Sequence, residues 1–249
     1  MRKIIAMGLA AVLFSQCGLL SAAETPSDAE LRDRLSTLIA SDNRSESLRA
    51  RNQYRHPLET LMFFNVRPEQ VLVEIWPGGQ GGWYRSILEP FFEGESGTYI
   101  PVLDESEFPD PVPAVPEGTA DTVLVFRAHG FLIYDKPAQS YYDAIFRMLK
   151  SGGVFGIVDH RGRESVAQDP KAEDGYVNQS YVESLARNAG FELIDEAEIN
   201  ANPLDTKDHP DGVYSLPPTL RGSTFNRALR DRMIAIGESD RMTLKFRKP

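Results

Sequence analysis

Val71 to Tyr84, VLVEIWPGGQGGWY, constrains the fold of this chain more than any other stretch. An apolar run ends in an acid, Glu74, and then breaks into Pro77 and four glycines before a helical pattern resumes. Glycines at such a break let the backbone lie against a ligand or take conformations closed to residues with a β-carbon. A strand that feeds directly into such a turn is typical of open α/β sheets, whose ligands sit beyond the carboxyl ends of the strands. The stretch predicts a parallel strand presenting a small ligand to a close-fitting turn.

The spacing narrows the choice of ligand. A dinucleotide fingerprint requires G-x-G-x-x-G, but Gly79 and Gly81 are followed three residues on by Tyr84. No Gly-Lys-Ser/Thr follows for a nucleoside triphosphate, so both phosphate-cradle readings weaken. With 249 residues, 41% of them hydrophobic, the chain suits one α/β domain with a substantial core and an N-terminal extension. A net charge of −9 argues against nucleic-acid backbones and anionic membranes as general partners, because both select basic surfaces. A small-molecule substrate is expected instead.

The first residues read as an address. Arg2 and Lys3 precede the apolar run Ile4 to Phe14, and Ser21-Ala22-Ala23 supplies small residues before Glu24. That order predicts a secretory signal over 1–23, cut after Ala23, and a periplasmic or secreted protein. The apolar run is shorter than the roughly 20 residues a membrane span needs, and Gln16 before Cys17 is a poor context for lipid attachment, so no membrane anchor is expected. Cleavage would also remove Cys17, the only cysteine, and with it disulfide, thiolate and zinc–cysteine chemistry.

Residues 24–65 read as an N-terminal helical cap. Leu31, Leu35, Leu38 and Ile39 recur at helical spacing behind a Ser27/Asp28 cap. An arginine-rich stretch follows (Arg44, Arg49, Arg51, Arg55), and Pro57 opens a short apolar helix to Phe64. Arg51, Arg55 and His56 read first as a solvated, salt-bridged helix face, with substrate contact as the alternative. Beyond the glycine turn, Trp83 to Phe92 predicts a helix and Thr98 to Leu103 a strand that contains Pro101 and ends at Asp104. Pro109, Pro111, Pro113 and Pro116 then exclude a helix over Glu105 to Thr119. Asp121 to Phe126 reads as a buried strand, Ala138 to Lys150 as a helix and Val154 to Val158 as a strand ending in Asp159-His160-Arg161. Asn178 to Asn188 is a further helix, Glu192 to Ile199 a strand, and Arg241 to Arg247 a closing strand with Met242, Leu244 and Phe246 on one face.

Several of these motifs carry a resemblance. Glu74, Gly78, Gly79 and Gly81 resemble the first motif of class I S-adenosylmethionine-dependent methyltransferases, where an acid closes the first strand and a glycine loop passes under the methionine part of the cofactor. MLKSGGVFGIVDHR is similar to the segment before that family's fifth strand, with Ser151 in the place of a proline. The later motifs DHRG, GYV, AGF, YSLPP and IGESDRMTLKF resemble those of a group of exported, uncharacterised bacterial proteins called predicted methyltransferases, and the likeness spans Arg51 to Pro249. It implies a Rossmann-like class I methyltransferase fold over 66–249 with an antiparallel closing strand. It also implies S-adenosyl-L-methionine as cofactor, held by Glu74, Pro77, Gly78, Gly79 and Gly81, with Asp104 on the ribose hydroxyls. The proline-rich segment is too short for the family's usual third strand, so a shortened third-strand region is expected.

His129 and His160 each follow the carboxyl end of a predicted parallel strand, which places both on the ligand-binding rim. His209 falls in the long polar loop Asn200 to Pro218, which is expected to fold over the same mouth with Asn202, Asp205 and Tyr214. Three readings follow. In the first, a methyltransferase uses His129, Asp159 or His160 to take a proton from an oxygen or nitrogen nucleophile, with Arg55, His56, Arg161 and the loop residues toward the substrate. In the second, the same fold serves as a non-catalytic binding or regulatory protein. In the third, His129, Asp159, His160, Asp205 and His209 serve a metal-dependent hydrolase, although their spacing matches no known ligand signature.

Overall fold

The computed structural model describes residues 26–78, 82–103, 108–127, 130–134 and 136–249, so the segment 1–23 expected to be a secretory signal, with Cys17, lies outside it. The chain opens with α1 (Asp28–Ala40), whose start is fixed by a reciprocal cap: Glu30 N–H donates to Ser27 Oγ and Ser27 N–H to the Glu30 carboxylate. Two single-turn helices, α2 (Glu46–Arg49) and α3 (Asn52–Arg55), cover the arginine-rich stretch. Next comes α4 (Pro57–Phe63), with proline at its first position, where a missing N–H costs nothing.

The sheet begins with β1 (Val71–Ile75), then α5 (Arg85–Phe92), β2 (Thr98–Val102) and β3 (Ala120–Phe126). It continues through α6 (Gly130–Ile133), α7 (Ala138–Met148), β4 (Leu149–His160), α8 (Gln179–Ala189) and β5 (Glu192–Ala197). A 3-10 turn at Gly212–Ser215, α9 (Arg227–Ile236) and β6 (Arg241–Arg247) complete the chain. The six strands lie in the order β2-β1-β3-β4-β6-β5. β2, β1, β3 and β4 pair in parallel, while β6 runs antiparallel between β4 and β5. β2 is the sheet's edge among the described residues, and so it tolerates Pro101, which has no N–H for a further ladder. Among the described residues no strand lies beyond β2, in keeping with the expected shortening of the third-strand region, and the antiparallel closing strand is present.

Alternation along the strands divides the core into two layers. Val73, Val125, Phe155 and Ile157 face α7 and α8, meeting Ile145 and Val182. Leu72, Leu124, Phe126 and Val158 face the other way and share one apolar cluster with Leu31, Leu35 and Leu61. The N-terminal helices are thus one layer of the sandwich, packed directly on the sheet. At Gly156 a β-carbon would come within 2.7 Å of the Phe64 ring, so glycine lets α4's end lie flat on β4.

The largest boundary difference from the sequence expectation lies between α7 and β4. The helix expected to reach Lys150 stops at Met148, where Leu149 turns extended, and β4 starts there rather than at Val154. α9, with only Met233 buried, gives too weak an apolar stripe to have been read from sequence.

Candidate active site

Two strand ends carry unusual backbone. Trp76, the first residue past β1, takes a left-handed conformation at φ +50° although its side chain is bulky and buried. Its N–H donates to Val102 O at 2.9 Å, and its ring meets Phe131 and Tyr141 edge-on at 5.1 and 5.6 Å. Arg127, the first residue past β3, sits at φ +100° with its N–H bonded to Val158 O at 2.9 Å. Such conformations cost about 1–3 kcal/mol each and persist where the surroundings over-determine them, commonly at ligand sites. Gly78 follows at φ +93°, and a β-carbon there would lie 2.9 Å from an Arg127 guanidinium nitrogen. The glycine turn and the β3 end therefore meet, and the left-handed backbone at Gly78 favours glycine there.

Beside them, β4 ends at His160, which β6 pairs with Arg241 in register. His160 Nδ1 is hydrogen-bonded to Ser239 Oγ, which fixes the imidazole on this rim. A cavity of about 220 Å³ opens between the Pro77–Gly78 turn, Arg127, His160 and the cap residues Arg51 and Arg55. Val213, Tyr214, Pro217 and Pro218 cover it from the long loop, and Trp83 and Arg241 complete much of the wall. Arg55 lies over the Trp83 ring at 5.0 Å.

Two buried carboxylates set the electrostatics. Glu74, fully enclosed on β1, accepts a 2.5 Å hydrogen bond from Tyr99 Oη. Burial pushes its carboxyl up to about 7, against the opposing pull of that bond and of Arg127 and Arg85. Glu238 accepts from Arg51 Nε, from Arg55 Nε at 3.1 Å and from Arg241 Nη2 at 2.5 Å. Burial would raise this carboxyl too, but Arg241, Arg55 and Arg51 together hold it down to about 2.

Of the residues singled out from sequence, Pro77, Gly78, Arg55, His160 and Tyr214 line this cavity. Glu74 is not part of its wall and is buried against Tyr99. Gly79, Gly81, Asp104 and His129 lie outside the described residues. Asp159 does not join His160 on the rim: successive strand residues point to opposite faces, and Asp159 is fully buried with its carboxylate accepting the His160 N–H at 2.8 Å. His56 is a left-handed link between α3 and α4 and lies off the cavity wall.

The polar loop residues are also placed differently from expectation. Asp205 is saturated by Tyr176 Oη, the Asp240 and Lys207 N–H groups and His209 Nε2 at 2.9 Å. Asn202 donates to Ile236 O and Glu238 O, and Arg161 forks onto Glu198 and Asp240. Asn202, Asp205, His209 and Arg161 thus tie the loop to the start of β6, and it is Val213 to Pro218 that reach the cavity. Among the described residues no three metal-ligating side chains come together.

Arg51 and Arg55 correct the solvated-face reading, since both turn inward to Glu238. Arg127, Arg241, Glu238, Ser239 and Trp83 were not singled out as site residues. The sequence signal for Arg241 was the closing strand itself: an antiparallel partner of β4 must start beside the carboxyl end of β4.

No protein-family model matches the chain, and no curated protein is similar to it. Solved structures are. The 4+2 cyclase SpnF matches at a TM-score of 0.50 and 16% identity, over 90% of this chain and 98% of that one. The geranyl diphosphate C-methyltransferase of Streptomyces coelicolor matches at 0.50 and 10% identity, over 86% of each chain. A SAM-dependent methyltransferase of Aquifex aeolicus matches at 0.48 and 16% identity, over 68% of this chain and 93% of its own. The chain has the Rossmann-like fold of class I S-adenosylmethionine-dependent methyltransferases.

Proposed function

We propose that the protein is an exported S-adenosyl-L-methionine-dependent methyltransferase acting on an oxygen or nitrogen of a small-molecule acceptor. The observation that carries this reading is the single cavity joining the Pro77–Gly78 turn to His160 at the carboxyl edge of the sheet. The residues present fit the cofactor. Gly78 leaves backbone open beside Arg127, whose guanidinium suits an α-carboxylate, and Glu74, near enough to act on Arg127, would supply negative field toward a sulfonium as it ionises near neutrality. Gly79, Gly81 and Asp104 extend the same proposed contacts from their places in the sequence. When bound, the cofactor supplies an electrophilic methyl group. His160, held by Ser239, is the proposed base for the acceptor's proton, with His129 beside it in the sequence-based reading. Arg55 and Tyr214 face the acceptor side.

Calorimetric titration with S-adenosylmethionine and S-adenosylhomocysteine tests this directly: binding of both is expected, and failure of both to bind at millimolar concentration rejects it. His160→Ala should lower turnover by roughly 10²–10⁴-fold with cofactor affinity nearly kept, the mark of a group used on the acceptor. Export is tested by mass spectrometry of the periplasmic fraction, where a chain starting at Glu24 is expected and one retaining Met1 rejects cleavage. Among the described residues no helix is long and apolar enough to cross a membrane.

A second reading, a non-catalytic binding protein on this fold, draws on the sheet's edge at β2, where the shortened segment leaves less wall for an adenine pocket. The likeness to a cyclase shows how little the fold alone decides. Cofactor binding without methyl transfer to any acceptor would favour it.

A further inference from the structure

The arginine side of the cavity asks for a ligand of its own. The protein as a whole is acidic, at −9, yet Arg51, Arg55, Arg127 and Arg241 converge on one small space. Among the described residues one carboxylate forms ion pairs with them, Glu238, which is 2% exposed and engages three of the four, while Glu74 acts on Arg127 through its field alone. Arg127 has no ion-pair partner among the described residues; its Nε donates to Phe126 O at 3.2 Å. Among the described residues that line this cavity of about 220 Å³, four carry guanidinium groups and none carries a carboxylate.

The donors are aimed as well as charged. The Nε atoms of Arg51 and Arg55 are used on Glu238, and their terminal nitrogens make no hydrogen bond to the protein among the described residues. Neither side chain is a buried orphan: they are 23% and 13% exposed, and both line the cavity. Glu238 acts as a clamp that holds both side chains by their Nε atoms, and guanidinium groups held this way match carboxylate and phosphate oxygens. Arg55 stands under strain of like charge, its pKa pushed down to about 9 by burial first and then by Arg241.

We infer that the acceptor of the reaction proposed above carries an oxyanionic group, a carboxylate or a phosphate, seated on Arg51, Arg55 and Arg241 across the cavity from the Gly78 turn. The inference rests on the methyltransferase reading for the word acceptor, but the anion site stands on the arginines alone. Arg127, which touches the Gly78 turn, belongs to the proposed cofactor side.

The test is calorimetric titration of the full-length protein with inorganic phosphate and, separately, succinate, at low and at raised chloride, followed by S-adenosylhomocysteine. One of the two anions should bind and be displaced by chloride, and the better of them identifies the group. Arg51→Gln should weaken that anion about tenfold, the loss of one charge-assisted contact, with S-adenosylhomocysteine affinity kept. Glu238→Gln should tighten it, because the clamp's own charge is gone while the arginines remain. If neither anion binds, or if Arg51→Gln leaves anion affinity unchanged, the inference is overturned. Anion binding without any S-adenosylhomocysteine binding keeps the site and removes the methyltransferase reading instead.

Discussion

The β1 side and the β6 side of the cleft each bury one glutamate, and the two titrate in opposite directions. Glu74 has a phenol for company and is pushed up to about 7, whereas Glu238 has three guanidinium groups and is held at about 2. Both are almost fully enclosed, at 1% and 2% exposure, so burial alone does not separate them. The partners do. A lone acid in an apolar layer is most stable neutral, while one surrounded by cations stays charged and holds them in place. The β1 side is thereby a floor whose charge can change near neutral pH, and the β6 side is a fixed electrostatic frame.

Removing the frame should have the largest effect. Glu238→Ala leaves Arg51, Arg55 and Arg241 packed together without a counter-ion, and breaking a buried pair in this way costs about 3–5 kcal/mol. Urea denaturation should show that loss. A cost below about 1 kcal/mol would mean the arginines swing out to water and the frame is not rigid.

The two acids can next be separated by pH. Glu74's carboxyl is raised in the folded state, so its contribution is complete below the unfolded value of 4.5 and is lost as pH rises through about 7. The loss is ~3 kcal/mol at about 1.4 kcal/mol per unit. Glu238's is depressed, so its contribution of similar size is present above 4.5 and is lost as pH falls through about 2. Stability measured from pH 2 to pH 8 should therefore climb and then sag, and Glu74→Gln should remove the sag alone. An unchanged sag would place the titration elsewhere.

A step of about 1–3 kcal/mol is expected from Gly78→Ala, which combines a left-handed conformation with a β-carbon 2.9 Å from the Arg127 guanidinium. If the proposed cofactor approaches this turn, S-adenosylhomocysteine affinity should fall by more than stability does. Equal losses would make the turn merely structural.

What was legible in the sequence follows from the range of the signal. Strands β1, β3 and β6 were readable because apolar runs and alternation are local, and so was the rim position of His160, which follows from a strand end. That no further strand lies beyond β2 among the described residues could be read from Pro109 to Pro116, since proline disfavours helix and ladder locally. The arginine frame could not. Arg51, Arg55 and Glu238 are separated by more than 180 residues, and only the packing of α3 on the loop before β6 brings them together. Asp159 was misplaced for a different reason: adjacency in sequence reads as adjacency in space, but in a strand it means opposite faces. Asp205 and His209 have the residue types of chemistry, yet their hydrogen bonds are spent on anchoring a loop.

The smallest expected effect sharpens the same contrast. Arg85 forms an ion pair with Glu89 one helical turn on, at 2.9 Å, on the exposed face of α5. Chemically it repeats the Arg–Glu pairing of the frame, but water screens it, and such pairs contribute about 0.3–0.5 kcal/mol. Arg85→Gln should lower stability by no more than that in denaturant titration at pH 5, where Glu74 is largely neutral. Arg85 also helps to hold the Glu74 carboxyl down, after the Tyr99 bond and Arg127. The variant should therefore move the high-pH sag to slightly higher pH, because without that cation Glu74 ionises later. A larger loss at pH 5, or a sag that moves to lower pH, would show that the surface pair contributes to the floor's electrostatics in a way its geometry does not explain.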